Sequence, residues 1–393
     1  DEHLTHYLNN TKFDVVGVGV VGGYYQYRKL LKISEAINKS TQRPHFIIGG
    51  HGPSPEPDYF RQKTKADAVV IGEGEKAVLK AIEGCGTFKD ELIKDIDSIP
   101  FPAYELFPIE YYRLMREVCT SPTDFVMPML SGRGCIFKCN FCYRMDEGFR
   151  PRSSESIIEE IKLLQRLYRI NFIIFADELL MSSVERTTQL CEDFLKENLK
   201  FKWICNGRLN FAEPELLQLM KRAGCVFINY GIESMDDEVL KTMNKKLTVA
   251  QIIRGVEATK NVGLTPGLNI IFGNIGENKE ILKKDVEFLL KYDSGAQCRT
   301  IRPVTPYPGS ALYYHAIKEG LLKDCEDFYE NKHVNSDLVS VNFTDMSDED
   351  FHRSLLDANE KLLMNYYKTQ ATLSIWQAQD LYTRKDDNFR GFR

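Results

Sequence analysis

No run of about 18 apolar residues occurs in this sequence and no signal-peptide pattern opens it, so neither a membrane span nor export is read from it. A long basic run is missing as well. With a net charge of −5 over 393 residues, nothing advertises a nucleic acid or a membrane surface as partner. Histidine is scarce, at seven. The histidines nearest in sequence to the one cysteine cluster, His51 and His315, are far from it. The chain also lacks the cysteine framework of small exported domains, so its ten cysteines read as reduced thiols. What remains is an ordinary globular composition, 43% apolar and 27% charged, long enough for two or three domains and cytoplasmic by default.

Three of the cysteines fall within eight residues. The stretch Gly132-Arg133-Gly134-Cys135-Ile136-Phe137-Lys138-Cys139-Asn140-Phe141-Cys142-Tyr143 spaces them CxxxCxxC. Cysteine-held iron–sulfur clusters normally take four thiolates. Three from one loop can hold three irons of a cubane and leave the fourth iron open to a chelating ligand. Zinc is the bland alternative, and it wants four closed ligands, typically paired CxxC sets or a nearby histidine. Cys85, Cys119, Cys191, Cys205, Cys225, Cys298 and Cys325 are scattered and read as packing residues.

Upstream, short apolar runs with terminal glycines alternate with helical stretches. They are Phe13 to Val20, His45 to Pro53 and Ala66 to Glu75. That alternation predicts a parallel sheet, and glycines at its carboxyl ends, Gly49, Gly50 and Gly72 among them, sit where open α/β sheets bind ligands. Asp95 to Tyr104 carries two prolines and reads as an extended connection. Six strand–helix units follow, with strands predicted at 125–131, 172–178, 201–208, 225–234, 267–273 and 298–304. Such a repeat suggests a three-quarter barrel. Asp177, Glu178, Arg208, Glu233, Ser234 and Glu277 stand at or just after the predicted strand ends, on one expected rim. Beyond residue 316 the chain reads as helical. One helix is expected from Asp348 to Lys368 behind a Ser347 cap and another from Thr372 to Tyr382, either covering the open side of the barrel or simply packing.

Taken together, the cysteine loop and the strand pattern resemble the radical S-adenosylmethionine (SAM) superfamily, and the first region resembles the cobalamin-binding domain that precedes many of its members. The resemblance covers residues 12 to 315. It implies an α/β chain: an incomplete Rossmann-like domain at 1–90, a linker at 91–122 and a partial (βα)6 barrel at 123–315, with the helical tail at 316–393 read from the residues alone. "DVVGVG", "FIIGGHGP" and "AVVIGEGE" match the third to fifth strands of the cobalamin domain, so its first two would lie upstream of Asp1. Gly19 replaces the Ser or Thr of many such domains. Asp1-Glu2-His3 only superficially resembles the DxHxxG motif that supplies a lower cobalt ligand elsewhere, with His6 where glycine belongs, and it is set aside.

The resemblance also assigns roles. Cys135, Cys139 and Cys142 would hold a four-iron four-sulfur cluster, with Phe141 at the family's aromatic position. Asp177-Glu178 would bond the SAM amino group and Arg208 its carboxylate, by bidentate geometry. Glu233-Ser234 would meet the ribose. Phe272-Gly273 and Glu277 would lie along adenine, with Asn274-Ile275 replacing the usual Leu-Pro. Gly49, Gly50 and Gly72 would face cobalamin. The expected activity is cobalamin-dependent methyl transfer to an unactivated carbon of a small molecule or natural product, with electrons from a flavodoxin- or ferredoxin-type donor. The alternatives are a radical cyclase, rearrangement or oxidation, a SAM-radical enzyme without cobalamin, and a non-catalytic zinc or electron-transfer protein. RNA methylthiolation is disfavoured, since the chain has no second cysteine set and no basic patch.

Overall fold

The computed structural model describes residues 2–145 and 148–385. Its first sheet has four strands, β1 (Val15–Gly19), β2 (His45–Gly49), β3 (Ala68–Ile71) and β4 (Gly86–Lys89), parallel and in sequential order. Alternation along β2 splits the core. Phe46 and Ile48 face one apolar cluster with Tyr27, Leu30 and Ile37, while Ile47 faces another with Ala77 and Ala81. Two elements of this region were not expected. The helix Glu2–Asn10 buries only Leu8, and β4 is a four-residue glycine-led strand, so both carry too little pattern to read.

The six expected parallel strands form the second sheet. They are β5 (Val126–Met129), β8 (Phe172–Phe175), β9 (Lys202–Gly207), β10 (Cys225–Glu233), β11 (Thr265–Phe272) and β12 (Arg302–Pro303), in the spatial order β12-β11-β10-β9-β8-β5. It is a curled half-barrel, with helices capped as their sequences direct. Thr248 and Gln251 complete a capping box, Ser153 caps Ser154–Tyr168, and Pro214 opens Pro214–Arg222. Between β5 and β8 the chain makes a small antiparallel ribbon of β6 (Gly132–Cys135) and β7 (Gly148–Pro151). The cysteine loop springs from this ribbon.

Residues after β12 divide between the two sheets. Tyr313, Phe328, Tyr329 and Val341 complete the apolar core of the first sheet. Phe351, Leu355, Ala358 and Leu362 join the core of the second, where Phe351 stacks on Phe272 at 5.1 Å. The two expected tail helices are one, Asp348–Arg384, capped by Ser347. No glycine or proline interrupts it, and the Thr369 and Thr372 hydroxyls bond back to the Asn365 and Lys368 carbonyls within the helix. Among the described residues, no helix is long and apolar enough to cross a membrane.

Candidate active site

Cys135 ends β6, and Cys139 and Cys142 follow in the loop. The loop is pinned to the barrel by amides. Asn140 N donates to Met243 O at 2.9 Å, and Asn244 Nδ2 donates to Lys138 O at 2.7 Å. The Asn140 and Asn274 side chains exchange hydrogen bonds at 3.2 and 3.0 Å. Asn274, at the departure from the usual Leu-Pro, thus grips the residue between two of the cysteines. Phe141 packs with Val239, Met243, Ile271 and Ile281.

Burial pushes the Cys142 thiol up to about 12, with Glu178, Cys139 and Cys135 adding to the shift, and burial raises Cys135 as well. A strongly cationic group beside these two thiols would favour their thiolate forms. Three soft donors from one short loop, two of them with raised thiol pKa values, fit an iron–sulfur cluster that would supply that charge.

The rim residues divide. Asp177 is turned into the protein, where its carboxylate accepts from Ser131 N at 3.0 Å and Ser131 Oγ at 2.8 Å. Its neighbour Glu178 faces the cysteines, with Oε1 4.0 Å from His51 Nε2. The Arg208 guanidinium lies over the Phe137 ring at 3.5 Å, donates to Lys245 O and sits beside Cys139. Glu233 makes a buried ion pair with Lys245 Nζ at 2.7 Å and has φ of +73°. Ser234 is fully buried beside Glu277. Glu277 folds back onto its own turn, with Oε2 accepting from Gly273 N at 2.6 Å and Asn274 N at 2.8 Å. Phe272 is buried against Phe351, so at this position backbone rather than side chain is available to a ligand.

The glycine turns of the first sheet lie opposite this loop. Gly50 has φ of +99°, and a Cβ there would meet Val20 O at 2.7 Å, so it serves the turn itself. Gly49 packs against Val70. Gly72 differs: its φ is +73°, a Cβ would meet nothing within 4 Å, and it lines a cleft of about 260 Å3 with His51, Glu73, Arg133 and Glu178. A second cleft of about 400 Å3 shares His51 and is walled by Phe141, Cys142, Tyr143, Tyr307 and Tyr329. The paired clefts and the bare backbone at Gly72 fit a large flat cofactor lying between the first sheet and the cysteine loop.

Charged residues clamp the two parts together. Glu73 accepts from Arg133 at 2.6 Å and from Arg150 at 2.9 and 3.0 Å, while Arg133 also reaches Glu75 at 2.6 Å. Sequence reasoning singled out none of Glu73, Arg133, Arg150, Asn140 or Lys245, and it noted His51 only as far in sequence from the cysteines.

Residues 129–289 match the Radical SAM superfamily. Over 335 residues the chain is 30% identical to an uncharacterized methyltransferase of Pyrococcus horikoshii, spanning 79% of this chain and 70% of that one. The chain belongs to the radical SAM superfamily. This radical SAM chain is also 24% identical over 344 residues to an anaerobic magnesium-protoporphyrin IX monomethyl ester cyclase of Rubrivivax gelatinosus. That match spans 80% of this chain but only 60% of the cyclase. Among solved structures, the radical SAM methyltransferase TsrM from Kitasatospora setae, with cobalamin and a four-iron four-sulfur cluster bound, superposes with a TM-score of 0.70 at 15% identity. The superposition covers 91% of this chain and 80% of TsrM. The cobalamin-dependent radical SAM enzyme OxsB with aqua-cobalamin bound gives 0.59 at 20%, covering 81% of this chain and 49% of OxsB. At those identities the likeness establishes the fold. The superfamily carries a four-iron four-sulfur cluster and SAM, and this chain is a methyltransferase-like radical SAM enzyme.

Proposed function

We propose that the chain is a cobalamin-dependent radical SAM enzyme that transfers a methyl group to an unactivated carbon of a small molecule. The observation that carries this reading is the facing of the Gly72 turn and the cysteine loop across clefts that share His51. In this reading Cys135, Cys139 and Cys142 hold the cluster and leave one iron for SAM. When bound, the cluster supplies the electron that cleaves SAM and the cobalamin supplies the methyl group. The remaining work is the protein's. Glu178, free of the bonds that tie Asp177, accepts from the SAM amino group. Arg208, already buried against Phe137, pairs with the SAM carboxylate. Glu233 and Ser234 take the ribose end, with Lys245 fixing Glu233. The Gly273 turn, held by Glu277, presents backbone to adenine beside Phe272. Gly49 and Gly50 shape the turn that sets His51 against the clefts, and Gly72 leaves room for the corrin face. Tyr143, Tyr307 and Tyr329 wall the space left for substrate, and a flavodoxin- or ferredoxin-type donor would reduce the cluster. The segments 1–90, 91–122, 123–315 and 316–393 serve as cobalamin-side domain, linker, SAM core and tail.

The matched cyclase supports a second reading, a radical cyclase, rearrangement or oxidation without methyl transfer. Product mass separates the two, because methyl transfer adds one CH2. The first test is anaerobic reconstitution with iron and sulfide, then SAM and dithionite, with Cys139→Ala as control. Formation of 5′-deoxyadenosine by the wild-type chain, absent in the variant, is the expected result, with a spectral shift of added hydroxocobalamin on binding. A full cluster with no hydroxocobalamin bound would remove cobalamin from the reading. Zinc bound in place of iron would remove the reading itself.

A further inference from the structure

We propose a second metal site, of zinc type, at the opposite end of the first sheet, formed by His45, Asp67 and Cys85. The strand register brings these residues together. His45 opens β2, Asp67 immediately precedes β3 and Cys85 immediately precedes β4. Because Ala68 pairs with both Ile47 and Gly86, Asp67 lies level with Cys85 and with Phe46, and His45 stands one residue before Phe46, on strands spaced about 4.8 Å apart. One ligand atom from each, a ring nitrogen, a carboxylate oxygen and a thiol sulfur, lies within 4.8 Å of the other two.

The histidine is prepared for this role. His45 Nε2 lies 2.7 Å from Ala81 O, which can only accept, so Nε2 carries a proton and the lone pair of the neutral ring is on Nδ1. Nδ1 is the nitrogen that faces Asp67 Oδ2, at 3.7 Å. A ring N–H fixed on a backbone carbonyl, which leaves the other nitrogen for the ion, is the usual outer-shell arrangement of a metal-bound histidine. The same oxygen, Oδ2, also accepts from Arg43 Nη1 at 2.7 Å and from Phe46 N at 2.8 Å, which fixes the carboxylate in place. Cys85 is exposed, which gives a metal an entry path. In tetrahedral zinc sites, with bonds of about 2.0 to 2.3 Å, ligand atoms stand about 3.3 to 3.8 Å apart. The histidine–aspartate spacing of 3.7 Å already lies in this range, and the Cys85 sulfur stands within 4.8 Å of a ligand atom of each. An imidazole, a carboxylate and a thiolate form a mixed set that zinc accepts, with a fourth position open to water. The ion would tie together the starts of three strands, at the end of the sheet away from the Gly72 turn.

Cobalt(II), a coloured stand-in for zinc, tests the site. The full chain is used with Cys135, Cys139 and Cys142 all changed to alanine, so that the cluster loop cannot compete. The expected result is a thiolate-to-cobalt charge-transfer band that zinc displaces. Cys85→Ser should abolish the band, and His45→Gln should weaken binding by more than the roughly 10- to 100-fold that outer-shell changes produce. A parallel measurement on the cluster-loaded wild-type chain guards against misfolding of the triple variant. After exposure to zinc and gel filtration it should retain zinc that the cluster-loaded Cys85→Ser chain does not. Absence of the band together with no retained zinc, or zinc retained equally by Cys85→Ser, would overturn the proposal.

Discussion

At the carboxyl ends of the four-stranded sheet the chain turns on glycines, whereas at those of the six-stranded sheet it turns on charged and amide side chains. Gly50 and Gly72 offer backbone alone, with φ of +99° and +73°. Across the clefts, Glu178, Arg208, Glu233 and Glu277 offer functional groups, three of them bonded to a neighbour: Arg208 to Lys245 O, Glu233 to Lys245 Nζ, and Glu277 to its own turn. Both are parallel α/β sheets, so the contrast lies in their ends rather than their architecture. A flat macrocycle needs area and no protrusions, which glycine provides. A small zwitterion such as SAM needs charges fixed at set points, which requires side chains held by other side chains. The Glu73, Arg133 and Arg150 clamp then sets the distance between the two rims.

The comparison breaks hardest at the buried ion pair. Lys245 and Glu233 are nearly inaccessible. Lys245→Met leaves the Glu233 carboxylate desolvated and unpaired, a loss of about 3–5 kcal/mol. Urea unfolding should show it, and adding Glu233→Gln to Lys245→Met should recover most of the loss. An unchanged midpoint in the single variant would mean that the rim does not depend on its charges. The opposite rim should respond differently. Gly72→Val places a side chain in the cleft and a β-branched residue at positive φ. It should weaken hydroxocobalamin binding about tenfold, equivalent to about 1.4 kcal/mol, while cluster content stays at the wild-type level. Equal affinity in the variant would mean that the cofactor does not lie over this turn.

The two sheets were legible in the sequence because strand, turn and helix signals are local: apolar runs of four to eight residues, glycines after them and serine or threonine caps before helices. The CxxxCxxC loop was legible for the same reason. What escaped was set by contacts between distant segments. Asn140 and Asn274 are 134 residues apart, and Arg133 and Glu73 are 60 apart. Nothing in either segment alone marks its partner. Asp177 and Glu178 show a finer limit. Adjacent residues at a strand end point to opposite sides, but the sequence does not say which side is the cleft. That choice was made by Ser131, whose N–H and hydroxyl capture Asp177. The split of the tail was hidden in the same way, because the apolar residues of 313–341 match either sheet and only the folded chain assigns them to the first.

The smallest effect concerns pH, and it separates a residue that supports the rim from one that meets the ligand. Burial lifts the Glu277 carboxyl to about 8, with Asp285 adding to the shift and the Asn274 and Gly273 N–H groups opposing it. The same cause brings Asp285 to about 7. Both folded values lie above the ordinary ones, near 4.5 and 3.8. Over the interval between, the folded chain keeps protons that the unfolded chain has released, so stability falls as pH rises. For Glu277 the contribution is complete below about pH 4.5 and lost through about pH 8. Glu277→Gln keeps a side-chain oxygen for the Gly273 and Asn274 N–H groups and cannot ionise. It should therefore flatten, without abolishing, the fall in melting temperature between about pH 5 and pH 8, the remainder belonging to Asp285. A Glu277→Gln chain with the wild-type slope would show that Glu277 is ionised in the folded state. Its charge would then be available to a ligand, and Glu277 would belong with Glu178 rather than with Asp177.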